Sequence, residues 1–175
     1  MPIVLDSPAS LAAKDAAVQK ITPMLWFNDQ AEEAAKFYVS VFKDAKILET
    51  SRYGEGGPAP AGTVMVVKFQ LEGQEYTALN GFQDNPFSEA VSLMIHCKDQ
   101  QEVDYYWDKL LAGGGSAIAC GWLKDKFGFR WQVTPDILLK YINDKDKAKA
   151  GRAMQAMMQM VKIDIAAIRK AYDGA

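Results

Sequence analysis

Two segments of the chain share one pattern of hydrophobic and polar positions. Residues 24–38 read MLWFNDQAEEAAKFY and residues 94–108 read MIHCKDQQEVDYYWD. In each, a short apolar run ends at an aspartate, Asp29 or Asp99, and a helical periodicity follows with a glutamate three residues later. An aspartate that accepts from the N–H three residues on, with a glutamate that reaches back, forms a capping box. Each segment is therefore predicted to be a strand, a tight turn and a capped helix.

The two segments are separated by a constant seventy residues, which predicts an internal duplication. Chance similarity between two unrelated strand–helix units is the alternative. Each copy is followed by runs that predict three further strands, interrupted by a Gly- and Pro-rich loop at residues 54–62. The predicted strands are 21–27, 45–53, 63–71 and 74–80 in the first copy, and 89–97, 116–119, 121–123 and 129–134 in the second. The fold class is therefore α+β, with two tandem β-α-β-β-β modules at residues 21–81 and 89–135.

The first of these strands, residues 21–27, is apolar at nearly every position, which predicts burial on both faces. Residues 1–20 precede it as an extension with a short Ala-rich helix at 10–18. Residues 136–175 form a helical appendage with helices near 136–141 and 145–160, and a last one at 165–172 that begins at Asp164. The second of these helices carries an apolar stripe made of Met154, Met157, Met158 and Val161. Such a stripe packs on the sheet or on a partner subunit, or it forms an adaptable binding surface.

Composition narrows the function classes. Hydrophobic residues make up 49% of the chain, the net charge is −2, and basic residues form no stripe, so we expect no nucleic-acid partner. No apolar run approaches the ~20 residues of a membrane span, and the N-terminus lacks the pattern of a secretory signal. Cys97 and Cys120 have no metal-ligand spacing, which favours two reduced thiols in a cytoplasmic protein.

The duplicated topology resembles the vicinal oxygen chelate superfamily, which includes the glyoxalases and extradiol dioxygenases. Several segments are similar to its PhnB-like branch, known also as 3-demethylubiquinone-9 3-methyltransferase-like. These segments are 21–42, 52–54, 77–81, 120–125, 131–135, 154–160 and 162–165, so that the resemblance covers roughly residues 21–170. It implies a curved mixed sheet around a cleft between the modules, and a homodimer.

The resemblance also implies positions for metal ligands, near Thr22, Asn80 and Ser92 and at Gln132. Only Gln132 is a plausible ligand among them, and His96 is the one histidine of the chain. Divalent ions in such sites need imidazole or carboxylate groups, so we expect neither a metal nor another cofactor. A methyl donor of the nucleotide type needs a glycine-rich turn that opens a helix. The glycines of residues 54–57 are followed by Pro-Ala-Pro, and those of residues 113–115 close a helical pattern, so neither segment fits.

What remains is a cleft that binds a small, partly apolar ligand, with catalysis left open. The candidate lining residues are Thr22, Met24 and Trp26 from the first module, facing Ser92, Met94 and His96 from the second, with Asn80, Arg130 and Gln132 from neighbouring strands. Arg130 could pair with a carboxylate or phosphate, or face solvent, and His96 could act as a general base, or be a surface or hydrogen-bonded residue. The alternatives are a metal-dependent lyase or dioxygenase with atypical ligands, and a non-catalytic interaction module.

Overall fold

The computed structural model describes residues 19–175, in which eight strands form two mixed sheets of four. The first module contains β1 (Met24–Phe27), α1 (Ala31–Val41), β2 (Ala45–Arg52), β3 (Val64–Leu71) and β4 (Gln74–Asn80). The second contains β5 (Leu93–Cys97), α2 (Gln100–Leu111), β6 (Ser116–Ala117), β7 (Trp122–Lys124) and β8 (Arg130–Pro135). The α+β class and the two β-α-β-β-β units are confirmed, and the N-terminal helix expected at 10–18 lies outside the described residues.

The two sheets have the same strand order, so the repeat in the sequence corresponds to a repeated sheet topology. They run β1-β4-β3-β2 and β5-β8-β7-β6, so that the first strand of each module pairs in parallel with its last. Met24 lies beside Thr77 in the first sheet, and Met94 lies beside Gln132 in the second. β5 begins at Leu93, four residues later than predicted, and the second module has the shorter hairpin.

The predicted cap of α1 is wrong. Gln30 occupies the cap position without a side-chain hydrogen bond, and Asp29 lies exposed one residue earlier. The amide oxygen of Asn80, at the end of β4, instead accepts from the backbone N–H of Ala31 at 2.8 Å. Asn80 is only 3% exposed and also donates to the carbonyl of Val64 at 3.1 Å, so both ends of its amide are occupied. The first turn of α1 is therefore fixed by a buried side chain from the sheet.

The predicted cap of α2 is confirmed. Asp99 accepts from the N–H of Glu102 at 2.9 Å, and the Glu102 carboxylate accepts from the N–H of Lys98 at 3.0 Å. The glutamate thus reaches back one residue further than a simple capping box requires. Both interactions satisfy N–H groups that have no partner within a helix.

The prediction that β1 is buried on both faces is wrong. Its side chains alternate between a buried and an exposed environment. Leu25 and Phe27 are 6% and 4% exposed, whereas Met24 and Trp26 are 58% and 37% exposed. Strand residues two apart lie on one face, and only the face toward α1 is packed in the single chain. We call the other face of each sheet its open face.

The helix-side faces of the two modules share one core, and a buried carboxylate joins them. Asp125, in the turn between β7 and β8, is 2% exposed. It accepts from the hydroxyl of Tyr38 on α1 at 2.9 Å and from the indole N–H of Trp131 on β8 at 2.8 Å. Its other oxygen accepts from the N–H groups of Phe127 and Phe129. Burial raises the pKa of Asp125 and the four hydrogen bonds oppose that rise, while burial beside Asp125 raises the pKa of Tyr38 well above its usual value.

The appendage contains three helices, α3 (Asp136–Ile142), α4 (Lys147–Met158) and α5 (Ile165–Asp173). They surround a small core made of Leu138, Ala153, Ile163 and Ile168. Asp164 caps α5 as predicted, accepting from the N–H of Ala167 at 3.0 Å. None of the helices between residues 19 and 175 has the length and apolar character needed to cross a membrane.

The methionines of the predicted stripe on α4 lie in two different environments. Ala150 and Ala153 are its buried residues, and Met157 packs against the appendage core. Met154 and Met158 are 37% and 60% exposed. In the single chain, the inner face of α4 is therefore formed by Ala150, Ala153, Ala156 and Met157.

Asn80→Ala tests the cap of α1. The change leaves the Ala31 N–H and the Val64 carbonyl without their partner, so we expect a loss of about 2 kcal/mol in the free energy of unfolding. The matched variant Asp29→Ala is expected to change it by no more than about 0.5 kcal/mol. Urea denaturation of both variants measures this, and a larger loss for Asp29→Ala would contradict the assignment.

Asp125→Asn tests the joint between the modules. In either orientation, the NH2 group of the new amide replaces an oxygen that accepts from two donors, so we expect a loss of about 2–3 kcal/mol in the free energy of unfolding. Asp84→Asn is an exposed control.

The pKa of Asp125 also makes this loss depend on pH. Because the folded protein holds the proton of Asp125 more tightly than the unfolded chain, the wild type loses stability as the pH rises above the usual carboxyl pKa of about 3.9. The gap between wild type and Asp125→Asn should therefore widen as the pH falls from 7 toward 4. A gap that narrows over this range in urea titrations would refute the raised pKa.

Candidate functional site

The open face of the first sheet carries an exposed tryptophan, Trp26, whose ring packs closely against the backbone. Strand alternation places Met24 and Trp26 on this face, beside Thr77 and Leu79 of β4. The indole of Trp26 lies directly on Gly81, where a Cβ would overlap the ring. This glycine therefore lets the ring lie flat against the chain at the end of β4. Thr22, the third candidate of this module, lies just before β1 and is exposed.

The open face of the second sheet brings five of the candidate residues together. Ser92, Met94 and His96 alternate along β5 and its approach, and Arg130 and Gln132 alternate along β8. The amide nitrogen of Gln132 donates to the hydroxyl of Ser92 at 2.9 Å. Gln132 therefore keeps its amide oxygen available on this face, next to Met94.

Two ion pairs stand at the ends of this row. Arg130, whose side chain is 15% exposed, pairs with Glu89, whose side chain is 82% exposed. At the other end, His96 Nδ1 lies 3.0 Å from Asp136 Oδ1, and both side chains are more than half exposed. Each of the two residues predicted to act on a ligand thus has a carboxylate neighbour, which a ligand would have to displace or share.

The structure does not place Asn80 with the other candidates. In β4 it aligns with Phe27, so its side chain lies on the helix side of the sheet, where it caps α1. The position beside Met24, equivalent to that of Gln132 beside Met94, is held by Thr77. The prediction located the correct strand, but Asn80 is on its other face.

Within one chain the two open faces do not form a common cleft. The helix-side faces are the ones that meet, since Tyr38 of α1 lies 5.4 Å from Trp131 of β8 between ring centroids. Met24 and Met94 lie on the faces away from this core, 58% and 41% exposed. Thr22, Met24 and Trp26 are therefore not brought opposite the residues of the second sheet.

The second open face is partly covered by the appendage, which leaves a cavity of about 250 Å³ between them. Gln132 and Thr134 of β8 line its floor with Trp122, and Leu138 and Met157 line its roof. Cys120 also lines it. Of the lining residues, the sequence analysis named Gln132 and Met94 as candidates and Met157 as part of an apolar stripe, and it missed the others. The alternation from Gln132 to Thr134 could have indicated the floor, whereas no local pattern indicates which residues of the appendage cover it.

A second crevice, of about 400 Å³, lies between the modules beside the free edge of β5. Its walls include Tyr76 from the first module and Tyr106 from the second, with the carboxylates of Glu72 and Glu102. Burial, reinforced by these two carboxylates, raises the pKa of Tyr106 to about 12. Tyr106 is therefore a neutral hydrogen-bonding group at physiological pH.

Cys97, on the helix side of β5, is fully buried, and its pKa is raised to about 12 by burial and nearby carboxylates.

Comparisons with known proteins agree with this architecture. The family model for 3-demethylubiquinone-9 3-methyltransferase matches residues 19–134. The solved structure of the PhnB protein from Bacillus cereus, which carries the same family name, is 37% identical to this chain with a TM-score of 0.61. That match covers 67% of this chain and 99% of the other. The chain belongs to this PhnB-like family.

The protein PA1353 from Pseudomonas aeruginosa, at 20% identity and a TM-score of 0.56, has the same fold, with 67% of this chain and 97% of that chain covered. A search of curated proteins gave no match. The family model ends at residue 134, in β8, so the appendage lies beyond the matched region of this PhnB-like chain.

The residues at the positions that the sequence resemblance implies for metal ligands do not fit a divalent ion. Both ends of the Asn80 amide are bonded to the backbone, and Ser92 accepts a hydrogen bond from Gln132. Across residues 19–175 no cluster of three or more His, Cys, Asp or Glu side chains could hold a metal. Hydroxyl and neutral amide groups alone give a weak donor set for such an ion.

The residues named by the sequence analysis as glycine-rich do not form a cradle for a methyl donor either. Residues 54–62 connect β2 to β3, and residues 113–115 follow α2 and lead into β6. A nucleotide phosphate binds where a glycine-rich turn leads into the N-terminus of a helix. In the described part of this PhnB-like chain, neither segment leads into a helix.

Proposed function

We propose that this PhnB-like protein binds a small, partly apolar ligand on the open faces of its sheets, without a catalytic metal. The observation that supports the proposal most directly is the open face of the second sheet. It combines the apolar side chain of Met94 with the free amide oxygen of Gln132, beside a cavity of about 250 Å³. An apolar surface with a few well-placed polar groups is typical of small-molecule sites.

We further propose that the protein is a homodimer in which the first open face of one chain lies opposite the second open face of its partner. Met24 and Trp26 are exposed and apolar on the first face, and Met94 is exposed on the second. A twofold pairing of these faces would bury both and form two equivalent clefts. The candidate residues that are separated within one chain would then meet across the interface.

The proposal that no metal takes part is supported by the poor donor set at the superfamily positions and by the hydrogen bonds that already occupy Asn80 and Ser92. Both cysteines are free thiols, which supports a reducing, cytoplasmic environment. Catalysis stays open, because His96 and Asp136 form an exposed pair with no nucleophile bonded to them.

Met24→Lys tests the dimer. A charge placed in a buried apolar interface should weaken self-association by at least about tenfold, because the ammonium group would lose its hydration. Light scattering coupled to size-exclusion chromatography gives the mass as a function of concentration. Met154→Lys, on the exposed side of α4, is the matched control and should stay dimeric. A wild-type protein that is monomeric at all concentrations would contradict the proposal.

Alanine variants of Trp26, Arg130 and Gln132 test the binding face. A thermal-shift screen of small aromatic and aliphatic molecules should give at least one ligand, and each variant should weaken its binding by about tenfold or more. Asp84→Ala, in an exposed loop, should leave binding unchanged. Stoichiometric Zn, Ni, Mn or Fe in the purified protein, lost in Gln132→Ala, would favour a metal-dependent lyase or dioxygenase instead.

A further inference from the structure

The appendage is fixed to the second module at defined points. The N–H groups of Cys120 and Gly121 donate to the carbonyls of Met160 and Val161, both at 2.8 Å. The side chain of Gln100 donates to the carbonyl of Ile163 and accepts from the N–H of Ile165. These bonds hold the segment between α4 and α5 against the second module. The appendage is therefore a fixed wall over the second open face.

The attachment requires an unusual backbone. Cys120 and Gly121 have φ angles of 60° and 82°, in the left-handed region that favours glycine. A Cβ at Gly121 would lie 3.0 Å from Cγ1 of Ile163 and 3.0 Å from the carbonyl of Val133. The turn thus brings β7 and the appendage closer together than a larger residue would allow.

The cavity beneath this wall is mostly apolar, and no charged residue among residues 19–175 lines it. Its apolar lining consists of Met94, Trp122, Leu138, Leu139, Ile142 and Met157. A charged ligand would lose its hydration there without gaining a counter-charge, which is costly. The cavity therefore selects for a neutral molecule.

Two polar groups in the cavity can form a hydrogen bond with a ligand. Thr134 is 7% exposed, and its hydroxyl has no hydrogen-bond partner within residues 19–175. Gln132 already donates to Ser92, so its amide oxygen is left as an acceptor. The hydroxyl of Thr134 is accessible from the cavity, since residues 19–175 contain no buried side-chain polar atom without a partner. A ligand hydroxyl or amide could form a hydrogen bond with this hydroxyl or with the Gln132 oxygen.

The volume limits the size of the ligand. At roughly 30 Å³ per molecule of liquid water, the 250 Å³ of the cavity corresponds to about eight water molecules. Covalently bonded atoms occupy less volume each than separate water molecules, so a ligand of about ten non-hydrogen atoms fits. A ring with a short alkyl chain and one hydroxyl group has this size and polarity.

We propose that the appendage and the second sheet together form a binding site for a neutral, mostly apolar molecule of this size that carries a hydroxyl or amide group. The inference rests on the proposed function, since it assigns a substrate class to part of the same open face. It adds that Met157 and Thr134 determine which ligand is accepted, and that a carboxylate of the same shape is excluded.

4-Propylphenol is the test probe, with 4-propylbenzoate as its charged counterpart. Methionine methyl groups labelled with ¹³C in the full-length protein report binding by NMR. We expect 4-propylphenol to shift the Met94 and Met157 signals in a saturable way and to leave Met154 and Met158 unchanged. 4-Propylbenzoate should bind at least about tenfold more weakly, because its charge has no partner in the cavity.

Met157→Phe and Met158→Phe form a matched pair of variants. The first should reduce affinity for 4-propylphenol at least about fivefold by filling the cavity, and the second should not change it. Thr134→Val keeps the shape of the side chain and removes the hydroxyl. It should weaken 4-propylphenol binding by about fivefold while leaving propylbenzene binding unchanged. Thermal melting of each variant checks that the fold is kept.

The outcomes separate this inference from the proposed function. If 4-propylphenol binds and Trp26→Ala and Gln132→Ala weaken it, but Met157→Phe and Thr134→Val do not, the open face binds ligands and the appendage site is wrong. Equal binding of 4-propylbenzoate would also overturn the inference. If 4-propylphenol does not bind while another molecule binds at Trp26 and Gln132, the inference fails alone. If no molecule binds, both proposals fail.

Discussion

The carboxylate of Asp125 links the two halves of the molecule. It accepts hydrogen bonds from Tyr38 in the first module and from Trp131 in the second, and two backbone N–H groups complete its shell. A charge at this depth persists only when it is satisfied from several sides. The side-chain donors come from α1 and from β8, and the backbone donors come from the turn that carries Asp125, so the carboxylate specifies how α1 packs against β7 and β8. The relative placement of the two modules depends on this arrangement.

That placement decides which surfaces are available for function. Because the modules share a core on their helix sides, each sheet turns its other face outward. Met24 and Trp26 are left exposed on one face and Met94 on the other. Exposed apolar surfaces of this kind are typical of interaction sites, and this is the surface on which we propose that a second copy pairs. The interaction that stabilises the single chain thus also creates the surface proposed for pairing.

The appendage changes the second open face from a surface into a cavity. The family match ends at residue 134, so the covering helices belong to this chain beyond the matched region. They form their own small core around Ile163 and Ile168, and they attach through backbone bonds at Cys120 and Gly121. Such a rigid wall can alter ligand selection without changing the sheet beneath it. The site would then combine the sheet of the family with a roof that lies beyond the matched region.

The sequence by itself determined the duplication, the α+β class, most strand positions and the caps at Asp99 and Asp164. These features depend on side-chain periodicity and on hydrogen bonds between residues three apart, which neighbours in the chain specify. Only the tertiary structure decided that α1 is capped by Asn80, whose partner Ala31 is 49 residues away. It also decided which strand faces are packed and which residues cover the cavity, because these depend on how distant segments return to one another. A local pattern records that a face is apolar, but what packs against that face is set by the rest of the fold.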